Sequence, residues 1–196
     1  MEIESQSQNR LEREQPRLNP IENPSNLKVK LAYWLAKQRM GKVITPLKVL
    51  YARFPESLSL GKALVDMEDK FTIDRELQFL IQFYTATVNG CGFCIDMAQA
   101  SLEKQDTQSQ KLNELLQFEQ SDLFSNAEKA ALVYVDEVNQ NKQVEDETFK
   151  QLQRHFSERE IVQITMINAI ENFYNSMNAP MNIGSDELCQ LWEQSN

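Results

Sequence analysis

The chain has 196 residues, enough for one domain with a real hydrophobic core, and carries 20 basic against 29 acidic side chains, a formal charge of -9. A field of that sign repels phosphates, so a nucleic-acid surface is disfavoured. Five glycines, six prolines and many Leu, Ala, Glu, Gln and Lys residues favour helix before any pattern is read.

Residues 1–26 are polar, contain Pro16, Pro20 and Pro24 and lack helical periodicity, which predicts a tail or arm ahead of a single helical domain over 27–196. The start has no basic stretch followed by an apolar run and a small-residue cleavage site, so a cytoplasmic location is expected. Leu27, Leu31, Trp34 and Leu35 share one helix face, with Ser25 or Asn26 as cap and Gly41 as stop. Thr45-Pro46 then opens a short helix bearing Leu47, Leu50, Tyr51 and Phe54. Helical signals continue over 57–70 and 72–88, where Leu77, Leu80, Ile81, Tyr84 and Val88 form an apolar stripe that Asn89-Gly90 ends.

The uncharged run from Leu77 to Ile95 is interrupted by Gln78, Gln82, Asn89, Gly90 and Gly92, so it reads as a buried helix and a turn, not a bilayer span. A further helix can start at Cys91 and run to Lys104. Ser125 with Glu128, and Ser157 with Glu160, have the form of reciprocal capping boxes at two more helix starts. After the second, Ile161, Ile164, Ile167, Ile170, Phe173, Tyr174 and Met177 read as apolar almost all round, predicting a central or interfacial helix. With no alternating strand and no phosphate-cradling glycine motif, the fold class is an all-α bundle, and no cofactor is expected.

Chemistry concentrates in NGCGFCIDMAQA. On a helix, Cys91 and Cys94 lie on one face at a Cα separation of roughly 5 Å, which a disulfide can bridge. A helix N-terminus favours the thiolate, the species that attacks peroxides and disulfides. Two alternatives stand beside this reading: small residues packed in a helix, and half a zinc site. The rest of the chain offers zinc only Cys189 and His155, so no metal centre is expected.

The order of these parts resembles the alkyl hydroperoxidase D-like (AhpD-like), or carboxymuconolactone decarboxylase, superfamily. The resemblance lies in TIDRELQFLIQFYTATVNGC, then the CxxC, then FSNAEKAALVYVDEV and FSEREIVQITMINAIENFYNSMNAP, and it takes in RMGKVITPLKVLYARFPES. It implies an AhpD-like helical bundle that forms a homo-oligomer (trimer, hexamer or dimer). It also implies that Cys94 attacks a small hydroperoxide or disulfide substrate, that Cys91 resolves the sulfenic acid, and that a partner dithiol re-reduces the bridge.

Peroxidatic members carry a histidine four residues after the second cysteine and a glutamate about twelve before the first. This chain has Ala98 and Phe79 there. Glu76, one turn before Phe79, is a candidate substitute, or else a solvated carboxylate stabilising the helix start. Asp96 is a candidate acid/base, or an ordinary first-turn acid. Phe83, Tyr84, Phe93 and Tyr174 are candidate pocket walls, or core. Ser176 stands where the family often has an arginine.

The leading expectation is a thiol-dependent peroxidase or disulfide oxidoreductase. The alternatives are a low-turnover redox-sensing or assembly module on the same fold and a non-redox lactone decarboxylase. Every charge between Glu22 and Glu56 is basic (Lys28, Lys30, Lys37, Arg39, Lys42, Lys48 and Arg53), and docking on the chain's own acidic remainder or a neighbouring subunit is expected in preference to membrane contact.

Overall fold

The computed structural model describes residues 15–100 and 106–188, with side chains omitted over 106–109. Eight α-helices lie among them: α1 Leu27–Met40, α2 Leu58–Glu68, α3 Arg75–Val88, α4 Gly92–Ala100, α5 Asp106–Glu114, α6 Asn126–Asn141, α7 Asp146–Gln153 and α8 Glu158–Asn178. A π-helical turn at Leu47–Tyr51 and 3-10 turns at Pro55–Ser57, Leu115–Gln117 and Ala179–Met181 join them, and the described residues contain no strand. The fold is the all-α bundle expected from the sequence. None of the described helices is long and apolar enough to cross a membrane.

Helix starts follow the capping chemistry. The Asn26 side chain accepts from the amides of Lys28 and Val29, and Asp74 accepts from Glu76 and Leu77. Ser125 and Ser157 each form a complete box with Glu128 and Glu160. The start of α3 is therefore set by Asp74, two residues beyond the expected Thr72. The sequence reading missed α5 and α7, which are polar and short.

α3 is the hub, packed chiefly on α8 and then on α4 and α6. Leu80 and Ile81 of α3 are sealed against Ile164 and Ile167 of α8 in the larger core, each worth about 1.5–3 kcal/mol of burial. α8 departs from its expected character. Its buried face carries Gln163, Asn168, Glu171, Asn175 and Asn178 among the isoleucines, and Met177 is exposed. The first helix buries Val29, Tyr33 and Ala36 and turns the face of Leu27, Leu31, Trp34 and Leu35 outward.

Residues 15–26 lie as an arm on the bundle. Arg17 N–H donates to the Met181 carbonyl, Ile21 N–H to that of Lys48, and Tyr33 Oη to that of Ile21. The basic stretch turns partly inward: Lys48 pairs with Glu22 and Lys42 with Asp186.

Candidate functional site

The end of α3 places the cysteines. Gly90, at φ +64°, takes the left-handed conformation that stops the helix. Gly90 N–H then donates to the Thr87 carbonyl and Cys91 N–H to that of Ala86, closing a Schellman pair. The Cys91 carbonyl in turn accepts from Ile95 N–H. The turn that ends α3 thus makes Cys91 the cap of α4 and sets Cys94 in its first turn. The two are joined as a disulfide with Cα atoms 5.3 Å apart.

A seam of amides fixes this corner on α8. Asn89, at the end of α3, donates through Nδ2 to Asn175 Oδ1 at 2.8 Å and to Asn172 Oδ1 at 3.0 Å. Thr85 Oγ1 donates to Asn168 Oδ1 at 2.9 Å. Such a network ties helix register to one arrangement, because a slip would strand several buried polar groups. Further along α8, Asn178 Nδ2 reaches Cys94 Sγ at 3.6 Å. Its Oδ1 is buried with no hydrogen-bond partner among the described residues.

Apolar groups surround the pair: Val49, Ala86, Phe93, Ile183 and Leu188 form one buried cluster with it, and Tyr174 packs against that cluster. Burial opposes a thiolate, while the α4 N-terminus and the Asn178 amide favour one. Cys91 is fully buried and Cys94 is 7% exposed, so Cys94 is the more accessible sulfur. Gly90 and Gly92, which flank Cys91, border a cleft of about 370 Å³ shared with Arg17, Pro180, Asn182 and Ile183.

The other predicted site residues separate. Phe93 lies in the buried cluster with the pair, and Tyr174 packs against it. Phe83 and Tyr84 belong instead to the larger core on the other side of α3. Phe83 stacks near Phe79, and Tyr84 Oη donates to Asp136 at 2.8 Å. Burial, and then Asp136, raises the Tyr84 hydroxyl above its ordinary pKa. Helical phase explains Tyr84, which is turned towards Asp136 of α6 about 160° around the helix from Ala86 beside the cysteines.

Glu76 sits at the opposite end of α3, about 18 Å along the axis from the helix end that leads into the cysteines. There Lys111 bridges it to Glu128 at 2.6 and 2.7 Å. Phe79 and Ala98, the two altered relay positions, pack against the larger core.

Asp96 is close in sequence and buried, with Oδ2 accepting from Asp186 N–H at 2.8 Å and Leu188 N–H at 3.1 Å. Asp186 in turn accepts from Thr45 N–H and Oγ1 and from Lys42. The carboxylate therefore straps segment 186–188 over the cysteine cluster. Cys189 lies outside the described residues.

Two further acids lie outside the sequence motifs. Glu171 on α8 accepts from Asn175 Nδ2 at 2.6 Å, and Glu68 on α2 has a buried oxygen without a partner among the described residues. Burial first, and then the charge of Glu68, pushes the Glu171 carboxyl up to about 8, against the Asn175 bond that holds it down. Burial likewise carries Glu68 to about 7, with Gln82 and Arg75 opposing and Asp69 adding. The recurrence of polar residues at 168, 171, 172, 175 and 178 was the available signal.

No protein-family profile matches the chain. It is 31% identical over 137 residues to the uncharacterized protein YdfG of Bacillus subtilis, covering 67% of this chain and 90% of YdfG. It is 26% identical over 164 residues to the uncharacterized Escherichia coli protein YnjA, covering 82% and 90%. Among solved structures, an Agrobacterium tumefaciens protein of unknown function, described as a candidate antioxidant defence protein AhpD, superposes with a TM-score of 0.62. The identity is 26%, with 70% of this chain and 96% of that one covered. A peroxidase-related protein from Silicibacter shares the fold at a TM-score of 0.75 and 18% identity over 89% and 94%. The debrominase Bmp8 shares it at 0.72 and 22% over 89% and 95%.

Proposed function

The chain belongs to the AhpD-like, peroxidase-related family, and on that premise we propose that it reduces small hydroperoxides, or exchanges disulfides, through Cys94 and Cys91. The observation that carries this reading is the bridged pair at the mouth of α4, with its more accessible sulfur in contact with the Asn178 amide. Reduced Cys94, as the thiolate, attacks the terminal peroxide oxygen. The O–O bond breaks, a sulfenic acid forms on Cys94 and an alkoxide leaves. Cys91 then displaces water from the sulfenic acid to give the disulfide, and a dithiol partner returns both sulfurs to thiols as it is oxidised. A cytoplasmic setting supplies such dithiols.

We further propose a homo-oligomer in which the outward face of α1, with Leu27, Leu31, Trp34 and Leu35, meets a second copy. A patch of this kind is otherwise costly on a monomer.

The fold also hosts a debrominase. Phe79 and Ala98 at the relay positions favour, as a second reading, a redox sensor with slow turnover. Steady-state peroxide consumption with excess dithiothreitol separates the two. Sustained, Cys94-dependent turnover supports the peroxidase, while a single turnover followed by arrest supports the sensor.

A further inference from the structure

One half of the Asn178 amide is occupied and the other is not. Asn178 is the last residue of α8, where its carbonyl accepts from Ile183 N–H at 3.2 Å as the chain folds back. The residues that follow, Ala179, Pro180, Asn182 and Ile183, wall the cleft beside Gly90 and Gly92. The Asn178 side chain is 4% exposed and donates through Nδ2 to Cys94 Sγ at 3.6 Å in the bridged form. Its Oδ1 is buried and has no partner among the described residues. The other amides of the seam differ. Asn168 Oδ1 accepts from Thr85, and Asn172 and Asn175 Oδ1 both accept from Asn89. A buried oxygen without a donor costs stability, so Asn178 Oδ1 calls for a donor that these neighbours do not provide.

The distance to sulfur says what that donor can be. The planar amide fixes Oδ1 about 2.3 Å from Nδ2, so the 3.6 Å contact puts Oδ1 no more than about 6 Å from Cys94 Sγ. An atom poised for attack stands about 3–3.5 Å from its nucleophile. An O–H···O bond spans about 2.5–3.0 Å. One hydroxyl-bearing oxygen can therefore face Sγ and give its hydrogen to Oδ1 at the same time.

We propose that Asn178 Oδ1 accepts the O–H of the hydroperoxide that Cys94 attacks, and so selects hydroperoxides over disulfides as oxidants at this site. This deepens the peroxide reading above and rests on it. A disulfide has no hydrogen on the attacked atom and leaves Oδ1 unpaired. A hydroperoxide has one, and the reaction keeps it. The Cys94 thiolate forms an S–O bond to the terminal oxygen as the O–O bond breaks; sulfur is oxidised and the peroxide reduced by two electrons. RO⁻ leaves and takes a proton from solvent, and the O–H held by Oδ1 becomes the O–H of the sulfenic acid. When Cys91 then attacks Cys94, that hydroxyl departs with the Cys91 proton as water.

The test compares an oxidant that carries the hydrogen with an electrophile that lacks it. In the reduced full chain carrying Cys91→Ser, the rate at which Cys94 is consumed is measured with tert-butyl hydroperoxide and, separately, with iodoacetamide, by peptide mass. Both reactions need the thiolate, so the ratio of the two rates cancels any change in ionisation or access that affects both alike. Asn178→Leu, close in shape but without polar atoms, should lower the ratio of peroxide to alkylation rate by roughly tenfold, the value of one hydrogen bond. Asn178→Asp keeps an oxygen at the acceptor position and should hold the ratio within about threefold, although its charge slows both reactions.

A ratio unchanged in Asn178→Leu marks a structural role and overturns the inference. So does a ratio that falls as far in Asn178→Asp as in Asn178→Leu. Should Asn178→Leu fail to fold, Asn178→Ala carries the comparison. A Cys91→Ser parent that is alkylated yet inert to the hydroperoxide refutes the peroxide reading itself, and this inference with it; an active parent with an unchanged ratio in the variant refutes the inference alone.

Discussion

Replacing Asp96 by alanine decides whether this acid is a strap or a chemical participant. Its Oδ2 accepts two backbone donors, Asp186 N–H at 2.8 Å and Leu188 N–H at 3.1 Å, both buried. Hydrogen bonds to a charged acceptor contribute about 1.5–3 kcal/mol each, so losing both costs about 3–6 kcal/mol. For a chain of this size 1 kcal/mol moves the melting temperature by about 2–4 °C, so Asp96→Ala should melt about 6–24 °C lower. Asp96→Asn keeps one oxygen acceptor and should recover more than half of the loss.

Because the strap closes over the cysteine cluster, alkylation of reduced Cys91 should also quicken in the alanine variant. Circular dichroism melts and timed iodoacetamide labelling read both effects. An alanine variant that melts within about 2 °C of wild type, yet has lost its reaction with peroxide, would refute the strap and make Asp96 a chemical participant.

Lys111→Met strands Glu76 and Glu128, and should cost about 1–3 kcal/mol in urea unfolding while leaving disulfide formation unchanged. Tyr84→Phe removes the bond to Asp136 and should cost about 0.5–1.5 kcal/mol, again without slowing the cysteines; a large loss of rate would return Tyr84 to the site. Glu171 binds its proton more tightly folded than unfolded. Its contribution is complete below the ordinary carboxylate range and is lost as pH rises towards about 8. Wild-type stability should therefore fall between about pH 4.5 and 8, and Glu171→Gln should flatten that slope in urea titrations; parallel curves would contradict the burial assignment. Trp34→Glu should convert an oligomer to a smaller species by light scattering, and an unchanged mass would remove α1 from the interface.

Much of the frame was legible because it rests on local rules. The two serine–glutamate boxes, the Asn26 cap, Gly41 and the Asn89-Gly90 break mark helix ends through interactions spanning a few residues, and all occur. The cysteine spacing was legible for the same reason. What escaped depends on partners far along the chain. Glu76 lies on α3, but only the fold shows that its near neighbour is Lys111 and that the cysteines begin at the other end. Tyr84 and Ala86 are two residues apart, and helical phase sends them to different cores.

The polar residues of α8 were hidden by the surrounding isoleucines, although their spacing of three and four was present. Their burial becomes visible only when Asn89 and Cys94 are set against them. The stripe of Leu27, Leu31, Trp34 and Leu35 was read correctly as one face. Sequence alone does not say whether such a face meets its own core or another surface.

The most direct test of the account is a single-turnover oxidation. The protein is fully reduced, freed of reductant, mixed with one equivalent of tert-butyl hydroperoxide and mapped by peptide mass. The account predicts a Cys91–Cys94 bridge in the wild type, a sulfenic acid trapped by dimedone on Cys94 in Cys91→Ser, and no peroxide-dependent product in Cys94→Ser. Reduced cysteines in the wild type after the peroxide is added, or equal trapping on Cys91 in Cys94→Ser, would contradict it.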